Sequence, residues 1–440
     1  MKGGYLMKTM EEIRNIIKRE GIQYIRLQFT DVLGAFKNIE LPISQLEKVV
    51  DNEVMFDSSS IAGFTTIFDS DMMLYPDWST FAVIPKIMDD EGVVRVICDV
   101  VRPDGTPFVG DPRSRLKKIA EKAKGMGYSN VYAGPEPEFF FLSKDNIEGD
   151  RGGYFDLSPS DEGEGVRREI VKTLQSFGFV VEALHHEVSE GQHEIDWKYG
   201  DLVTTADRIQ TFKWVVKTIA KKHGQEATFM PKPFFGRNGS GMHVHLSLGN
   251  DGSNAFYDEQ GELNLSREAY QFLTGILEFS KYNALFTNPT VNSYKRLVPG
   301  YEAPVYIAWS PSNRSCLIRI PASRGMGTRV EVRNPDPSCN PYLALTVLVG
   351  AGLTGISSQL THPEKKQENL FELTEKERVE RGIETLPGSL GEAIVVASSA
   401  KEYFGELLGS HIFENYINLK TKEWDRYRLA VTDWELKEYI

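Results

Sequence analysis

Between residues 329 and 333 the chain reads Arg-Val-Glu-Val-Arg, an alternation that fits an extended strand with two unlike faces. Successive strand side chains point to opposite sides, so Arg329, Glu331 and Arg333 share one face and Val330 and Val332 the other. The valine face needs a core. The charged face either meets water at a sheet edge or lines a charged site. A carboxylate held between two guanidinium groups forms an ion-pair ladder or part of such a site. The planar arginine fork grips carboxylate and phosphate, and its charge is not titrated away. The run that begins at Asn313 adds Arg314, Arg319 and Arg324.

Other segments have the same two-faced character. In Gly134-Pro-Glu-Pro-Glu-Phe-Phe-Phe141, the prolines disfavour a helix. An extended chain puts Glu136 and Glu138 on one side and Phe139 and Phe141 on the other. Two like charges side by side repel unless a cation sits near them, and hard divalent cations take oxygen ligands. An exposed acidic strand edge is the alternative. In Asn238-Gly-Ser-Gly-Met-His-Val-His-Leu-Ser247, a glycine turn leads into a strand. It carries His243, His245 and Ser247 on one face and Val244, Leu246 and Leu248 on the other, a wall suited to a metal or a nucleotide. The turn offers backbone N–H groups to an anion, although no Lys-Ser/Thr follows as in a phosphate loop. His185-His-Glu-Val-Ser-Glu-Gly-Gln-His-Glu194 gathers acids and imidazoles. Spacing leaves open which of Glu187, Glu190 and Glu194 face a site, and three histidines also suit zinc or copper. Residues 286–304 hold Pro289, Pro299, Gly300 and Pro304 and read as a long irregular segment; within it, Asn292 to Pro304 carries Lys295, Arg296 and Glu302 on a lid or a solvated loop.

At 440 residues the chain is too long for one small core. Its net charge of -12 argues against nucleic acid or an anionic membrane as the main partner. Anionic substrates then need local arginines or metal ions. Three scattered cysteines form no metal or disulfide pattern, which fits a reducing cytosol, and the start lacks a signal-peptide core. The expected location is cytoplasmic. The spacing predicts a helix over 10–20 ending at Gly21, strands near 25–29 and 35–41, and a strand over 93–101. The turn-rich Arg102–Pro107 is the expected domain boundary, giving domains 1–106 and 107–440. Asp111-Pro112 then starts a helix to Gly125, and another runs from Thr205 to His223. Residues 342–356 read as a buried helix too short and broken to span a membrane, and 363–382 as a charged surface excursion.

Several carboxylates, two histidines and an arginine cluster are the inventory for metal-assisted phosphoryl transfer, in which cations bridge phosphates and arginines stabilise the transferring group. Spacing does not identify the acceptor.

In motifs and their order, the chain resembles the bacterial type I glutamine synthetases over nearly its whole length. The motifs are Met55-Phe-Asp-Ser-Ser-Ser, Gly134-Pro-Glu-Pro-Glu-Phe-Phe, His185-His-Glu-Val, Phe229-Met-Pro-Lys-Pro, Asn238-Gly-Ser-Gly-Met-His, Asn292 to Pro304 and Arg329-Val-Glu-Val-Arg. The compact Ala322–Thr328 region resembles the alpha subtype. The resemblance implies an α+β fold, with an N-terminal β-grasp domain and a larger catalytic domain of antiparallel sheet and surrounding helices. It implies a homododecamer of two stacked six-membered rings, active sites at subunit junctions, and regulatory proteins of nitrogen control as further partners. The implied reaction joins ammonia to glutamate with ATP through a γ-glutamyl phosphate, with two divalent ions, magnesium or manganese, per site.

Carried over by position, Glu138, Glu187 and Glu194 resemble the ligands of one metal, and Glu136, His243 and Glu331 those of the other. Glu182, His245, Ser247, Arg314 and Arg319 resemble ATP contacts. Asn238, Gly239, Arg296, Glu302, Arg314 and Arg333 resemble contacts to glutamate or the transferred phosphoryl. Asp57, from a neighbouring subunit, resembles the ammonium-binding group, and Glu302 the residue that closes over the intermediate. Four positions depart from the family pattern: Phe371 stands for a modifiable tyrosine, Thr66 for a feedback arginine, Ser58 for glycine and Ala62 for glutamate. Two rivals remain: a γ-glutamyl ligase using a polyamine or other amine, and a non-catalytic ring protein sensing nitrogen.

Overall fold

Thr9 and Glu12 cap each other's backbone at the start of helix α1 (Met10–Glu20), and Gly21 ends it in the left-handed conformation, φ 65°. Ile13 and Ile17 are the face it buries. Strands β1 (Tyr24–Thr30) and β2 (Phe36–Pro42) form an antiparallel hairpin. After α2 (Leu46–Val50) come β3 (Met55–Asp57), β4 (Asp71–Val83) and β5 (Val93–Val101). They form a five-stranded sheet in the order β2-β1-β5-β4-β3, with β1 and β5 parallel. Ile25, Leu27, Val94 and Val96 supply its core. The computed structural model describes residues 8–65, 69–142, 150–301 and 303–440.

Arg102–Thr106 closes a turn with Gly105 at φ 81°. The Asp111 carboxylate then accepts from the backbone N–H groups of Arg113 and Ser114 and starts α3 (Pro112–Gly125), as its sequence predicts. Among the described residues the larger sheet has eleven strands. They are β6 (Asn130–Leu142), β7 (Val181–His186), β8 (Gln192–Trp197), β9 (Gly200–Asp201), β10 (Glu226–Thr228), β11 (Met242–Asn250), β12 (Ser253–Asn254), β13 (Tyr306–Ser310), β14 (Cys316–Arg319), β15 (Val330–Val332) and β16 (Glu384–Thr385). The main path is β16-β13-β14-β15-β11-β6-β8-β7. The expected antiparallel sheet is in fact mixed, because β13 and β14 run parallel.

Helices α4 (Glu164–Ser176), α5 (Leu202–Lys222), α6 (Arg267–Thr287), α7 (Ser293–Arg296) and α8 (Pro341–Ser357) surround it. Helix α5 starts ahead of Thr205 because Asp201 caps it, accepting from Thr204 N–H. The segment 286–304 is less irregular than its prolines suggest, since it holds the end of α6 and all of α7. Helix α8 is the buried helix expected over 342–356. It packs so closely on α6 that a Cβ on Gly275 would lie 2.1 Å from the Ala351 carbonyl. No helix among the described residues is long and apolar enough to cross a membrane. The 363–382 stretch is mostly exposed, but Leu370 is buried and Phe371 packs on Tyr306.

A buried ion cluster joins the two sheets' units. The Arg113 guanidinium donates to Asp77 and Asp99 of the first sheet, both at 2.7 Å, and to Asp207 of α5 at 2.9 Å. The Asp207 carboxylate also accepts from the Tyr342 hydroxyl at 2.6 Å. A buried guanidinium is tolerated only with such complete pairing.

Candidate active site

The register of five adjacent strands assembles the charged face. His243 of β11 lies opposite Glu136 of β6, and Glu138 opposite Glu194 of β8. Glu331 of β15 lies opposite His245 of β11 and Arg319 of β14. Val244, Leu246, Val330, Val332 and Phe139 are buried on the other side. The two-faced segments of the sequence are therefore neighbours in one sheet.

A cavity of about 240 Å³ opens on this face. Glu136, Glu138, Glu187, Glu194, His243 and Glu331 line it, together with Asn238, Gly239, Arg296, Arg314, Arg319 and Arg333. A second cavity of about 440 Å³ is lined by Glu182, His245 and Ser247 with Asp196, Tyr199 and Arg329. Glu136 belongs to both walls. Arg314 and Arg319 stand in the first cavity rather than the second.

Ligand atoms of Glu136, His243 and Glu331 all lie within 4.8 Å of one another. Burial alone would raise the Glu136 carboxyl, but hydrogen bonds to His243 and His245 hold it far below its usual range. Burial also acts on Glu331, yet His243, Arg333 and Arg319 keep its pKa lowered. Two carboxylates and an imidazole form a donor set that fits a hard divalent cation.

The second group is electrostatically opposite. Burial and the charge of Glu187 push the Glu138 carboxyl up to about 8, against Arg296. Burial, Asp196 and Glu138 push Glu194 well above its usual range. Carboxylates crowded this way fit a cation, which removes the repulsion that raises them. Two donors fix Glu138: the Gln192 side-chain amide at 2.7 Å and the Gly241 N–H at 3.0 Å. His185, whose role the sequence left undefined, donates or accepts at 2.9 Å from Glu187 and lies 3.8 Å from Glu194.

Several expectations need correction. Arg329 does not clasp Glu331. It donates to His245 Nδ1 at 3.1 Å and to the Gly327 carbonyl, while Arg319 and Arg333 hold Glu331. The other nitrogen of His245 meets Glu136 at 2.7 Å, so His245 orients a carboxylate and also faces the second cavity. The glycine turn does not hold all its amides for an anion: Ser240 N–H goes to Pro231 and Gly241 N–H to Glu138. Glycine is required at 239 because a Cβ would lie 2.1 Å from the Pro231 carbonyl.

The three histidines of 185–193 do not converge on one point: ligand atoms of His186 and His193 lie with Asp150 within 4.8 Å of one another, whereas His185 groups with Glu194 and Asp196. His186 pairs with Asp150 at 2.7 Å, and the Arg167 guanidinium contacts His193 Nδ1 at 2.7 Å, which opposes a cation there. Glu190 points away, to Arg237 at 2.8 Å.

Asp57 lines neither cavity of its own chain. It is exposed on β3 at the sheet edge, where hydrogen bonds from Ser59 lower its pKa. The adjacent Ser58 is buried and donates to the Ser70 carbonyl at 2.9 Å, so the serine closes this loop. Ala62 is exposed. Glu302 and Thr66 lie outside the described residues. Gln192, Asp196, Tyr199 and Tyr301 also line the cavities without having been singled out. The Gly191-Gln192 turn beside Glu194 was the available signal for Gln192.

Two family models match the chain: glutamine synthetase, beta-Grasp domain, over residues 21–103, and glutamine synthetase, catalytic domain, over 109–439. A glutamine synthetase of Thermus thermophilus is 53% identical over 442 residues, covering 98% of this chain and 99% of the relative. One of Clostridium saccharobutylicum is 54% identical over 439 residues, covering 98% of each. Among solved structures, a GmaS/ADP complex superposes with TM-score 0.88 at 31% identity, covering 98% of this chain and 99% of that one. A Plasmodium falciparum glutamine synthetase does so with TM-score 0.88 at 26% identity over the whole of both chains. The residues lining both cavities fall within the catalytic unit, a β-grasp unit precedes it, and the chain belongs to the glutamine synthetase family.

Proposed function

We propose that this protein ligates ammonia to L-glutamate at the expense of ATP, giving glutamine, ADP and phosphate through a γ-glutamyl phosphate. The observation that carries the reading is Glu136, a carboxylate shared by the wall of a nucleotide-sized cavity and the wall of a carboxylate- and arginine-lined one. A phosphoryl group passed between the two cavities meets this boundary.

Glu136, His243 and Glu331 would hold one divalent ion, and Glu138, Glu187 and Glu194 the other. Bound there, magnesium or manganese supplies charge neutralisation for phosphoryl transfer. The chain's own groups do the rest. Glu182, His245 and Ser247 bind the nucleotide, and Arg314 and Arg319 face its phosphates. Asn238, Gly239, Arg296 and Arg333 position glutamate so that a γ-carboxylate oxygen attacks the terminal phosphorus and ADP leaves. Ammonia then attacks the acyl carbon and phosphate leaves. Asp57 of a neighbouring subunit and Glu302 bind ammonium and take its proton, which the nucleophile must lose. The acyl phosphate needs shielding from water, which Glu302 supplies by closing over it.

The exposed position of Asp57, away from its own chain's cavities, supports a site shared between subunits, and the homododecamer of two stacked hexamers is what the family resemblance implies for their arrangement. The compact 322–328 region supports the alpha subtype. Domains of 1–106 and 107–440, a cytoplasmic location and contact with regulatory proteins of nitrogen control belong to the same reading. Phe371 has no hydroxyl to take a nucleotidyl group.

The test is phosphate release from ATP and glutamate with ammonium, with putrescine and with no amine. The reading expects release and glutamine formation with ammonium. Preferential turnover of putrescine would identify an amine ligase, and no turnover with any acceptor would favour a non-catalytic protein.

A further inference from the structure

Lys232 has no place in the chemistry above, yet it is buried and touches three segments of the site. Its ammonium lies 3.7 Å from the centroid of the Tyr301 ring, and Tyr301 lines the carboxylate cavity. It also donates to the Arg237 carbonyl, in the stretch leading to Asn238 and Gly239. Its backbone N–H donates to Asn292 Oδ1 at 2.7 Å, and Asn292 Nδ2 returns a bond to the Lys232 carbonyl at 3.0 Å. Asn292 immediately precedes α7, whose last residue is Arg296.

One residue therefore grips the chain on both sides of Arg296: at Asn292 through its backbone, and at Tyr301 through its side chain. A cation over a tyrosine face is attracted by the ring, and more strongly where water is excluded. We infer that Lys232 is a positioning residue for the glutamate end of the site, holding Tyr301 in the cavity wall and fixing the segment that presents Arg296. Tyr301 and Arg296 line the first cavity and not the second, so the effect falls on glutamate rather than on the nucleotide. The inference rests on the functional reading above.

The test is a double-mutant cycle in the full-length assembled protein: Lys232→Met, Tyr301→Leu and both together. Each single change is expected to lower kcat/KM for glutamate about tenfold, with ADP affinity held within about twofold. The double variant should be little worse than the poorer single one. Lys232→Arg, which keeps the charge and stacks on the ring, should recover most of the loss. Losses that multiply in the double variant, an equal loss of ADP affinity, or an unchanged kcat/KM in Lys232→Met would each overturn the proposal. So would a loss in Lys232→Arg equal to that in Lys232→Met. The same cycle read by thermal unfolding separates the two claims. Wild-type protein that makes no glutamine refutes the functional reading, whereas additive melting losses refute the Lys232–Tyr301 contact.

Discussion

Replacing Glu331 by glutamine keeps the side chain's volume and one acceptor oxygen but removes its charge. Three partners lose by it. Arg333 stands 2.7 Å away with its own side chain only 7% exposed, Arg319 is 27% exposed, and His243 lies 3.7 Å away. Breaking a fully buried pair costs about 3–5 kcal/mol, and the partial exposure of Arg319 places this change near the lower end, about 3 kcal/mol. That loss leaves a large protein folded, so function can be read. Changes in residues that merely orient a metal ligand cost about 10–100-fold in affinity or activity, and removing a ligand should cost at least about a hundredfold. The assay is manganese binding by calorimetry beside steady-state turnover, on protein shown to be assembled. The expected result is one tight ion in place of two and turnover down about a hundredfold or more. Two ions bound at unchanged affinity, with near-normal turnover at ordinary magnesium, would refute the assignment of Glu331 as a ligand.

Three further outcomes are expected. Asp57→Ala should lose ammonia-dependent synthesis at least about tenfold while ADP affinity changes little, because Asp57 lines neither cavity of its own chain; equal losses in both would remove its ammonium role. Arg113→Met should destabilise the protein by about 3 kcal/mol, since it removes the guanidinium shared by Asp77, Asp99 and Asp207 and leaves them with Ser79, Lys117 and Tyr342; denaturant unfolding within about 1 kcal/mol of wild type would contradict the clamp. Glutamine should inhibit weakly, because Thr66 is too short and uncharged to pair with a carboxylate as arginine does; strong inhibition below the level of simple competition with glutamate, or none gained by Thr66→Arg, would count against this.

Features set by local periodicity were legible in the sequence. The alternation at 136–141, 243–248 and 329–333 located the strand faces, and the caps at Gly21 and Asp111 located helix ends. What was not legible depends on which strand lies beside which. Arg329 and Arg319 are equally good local partners for Glu331 by residue type. Only the antiparallel register of β14 and β15 puts Arg319 opposite Glu331 and leaves Arg329 for His245. The glycine turn announced an anion site by composition, but Glu138 arrives from a distant strand to take the Gly241 amide. His193 resembles His185 by type, yet it lies opposite His186, one position along from the Glu194–His185 pair, so it faces the other side, where Arg167 contacts it. Lys232 carried no periodic signal, because its contacts to Asn292 and Tyr301 exist only after the chain has folded back.

In the proposed reaction the γ-carboxylate of glutamate is phosphorylated and ammonia then displaces the phosphate. Isotope transfer tests it most directly. With glutamate carrying oxygen-18 in its γ-carboxylate, together with ATP, ammonium and magnesium, the account predicts one labelled oxygen in each phosphate released and one retained in each glutamine. Glutamine formed with unlabelled phosphate would contradict it, because the bond between that carboxylate oxygen and phosphorus would never have been made.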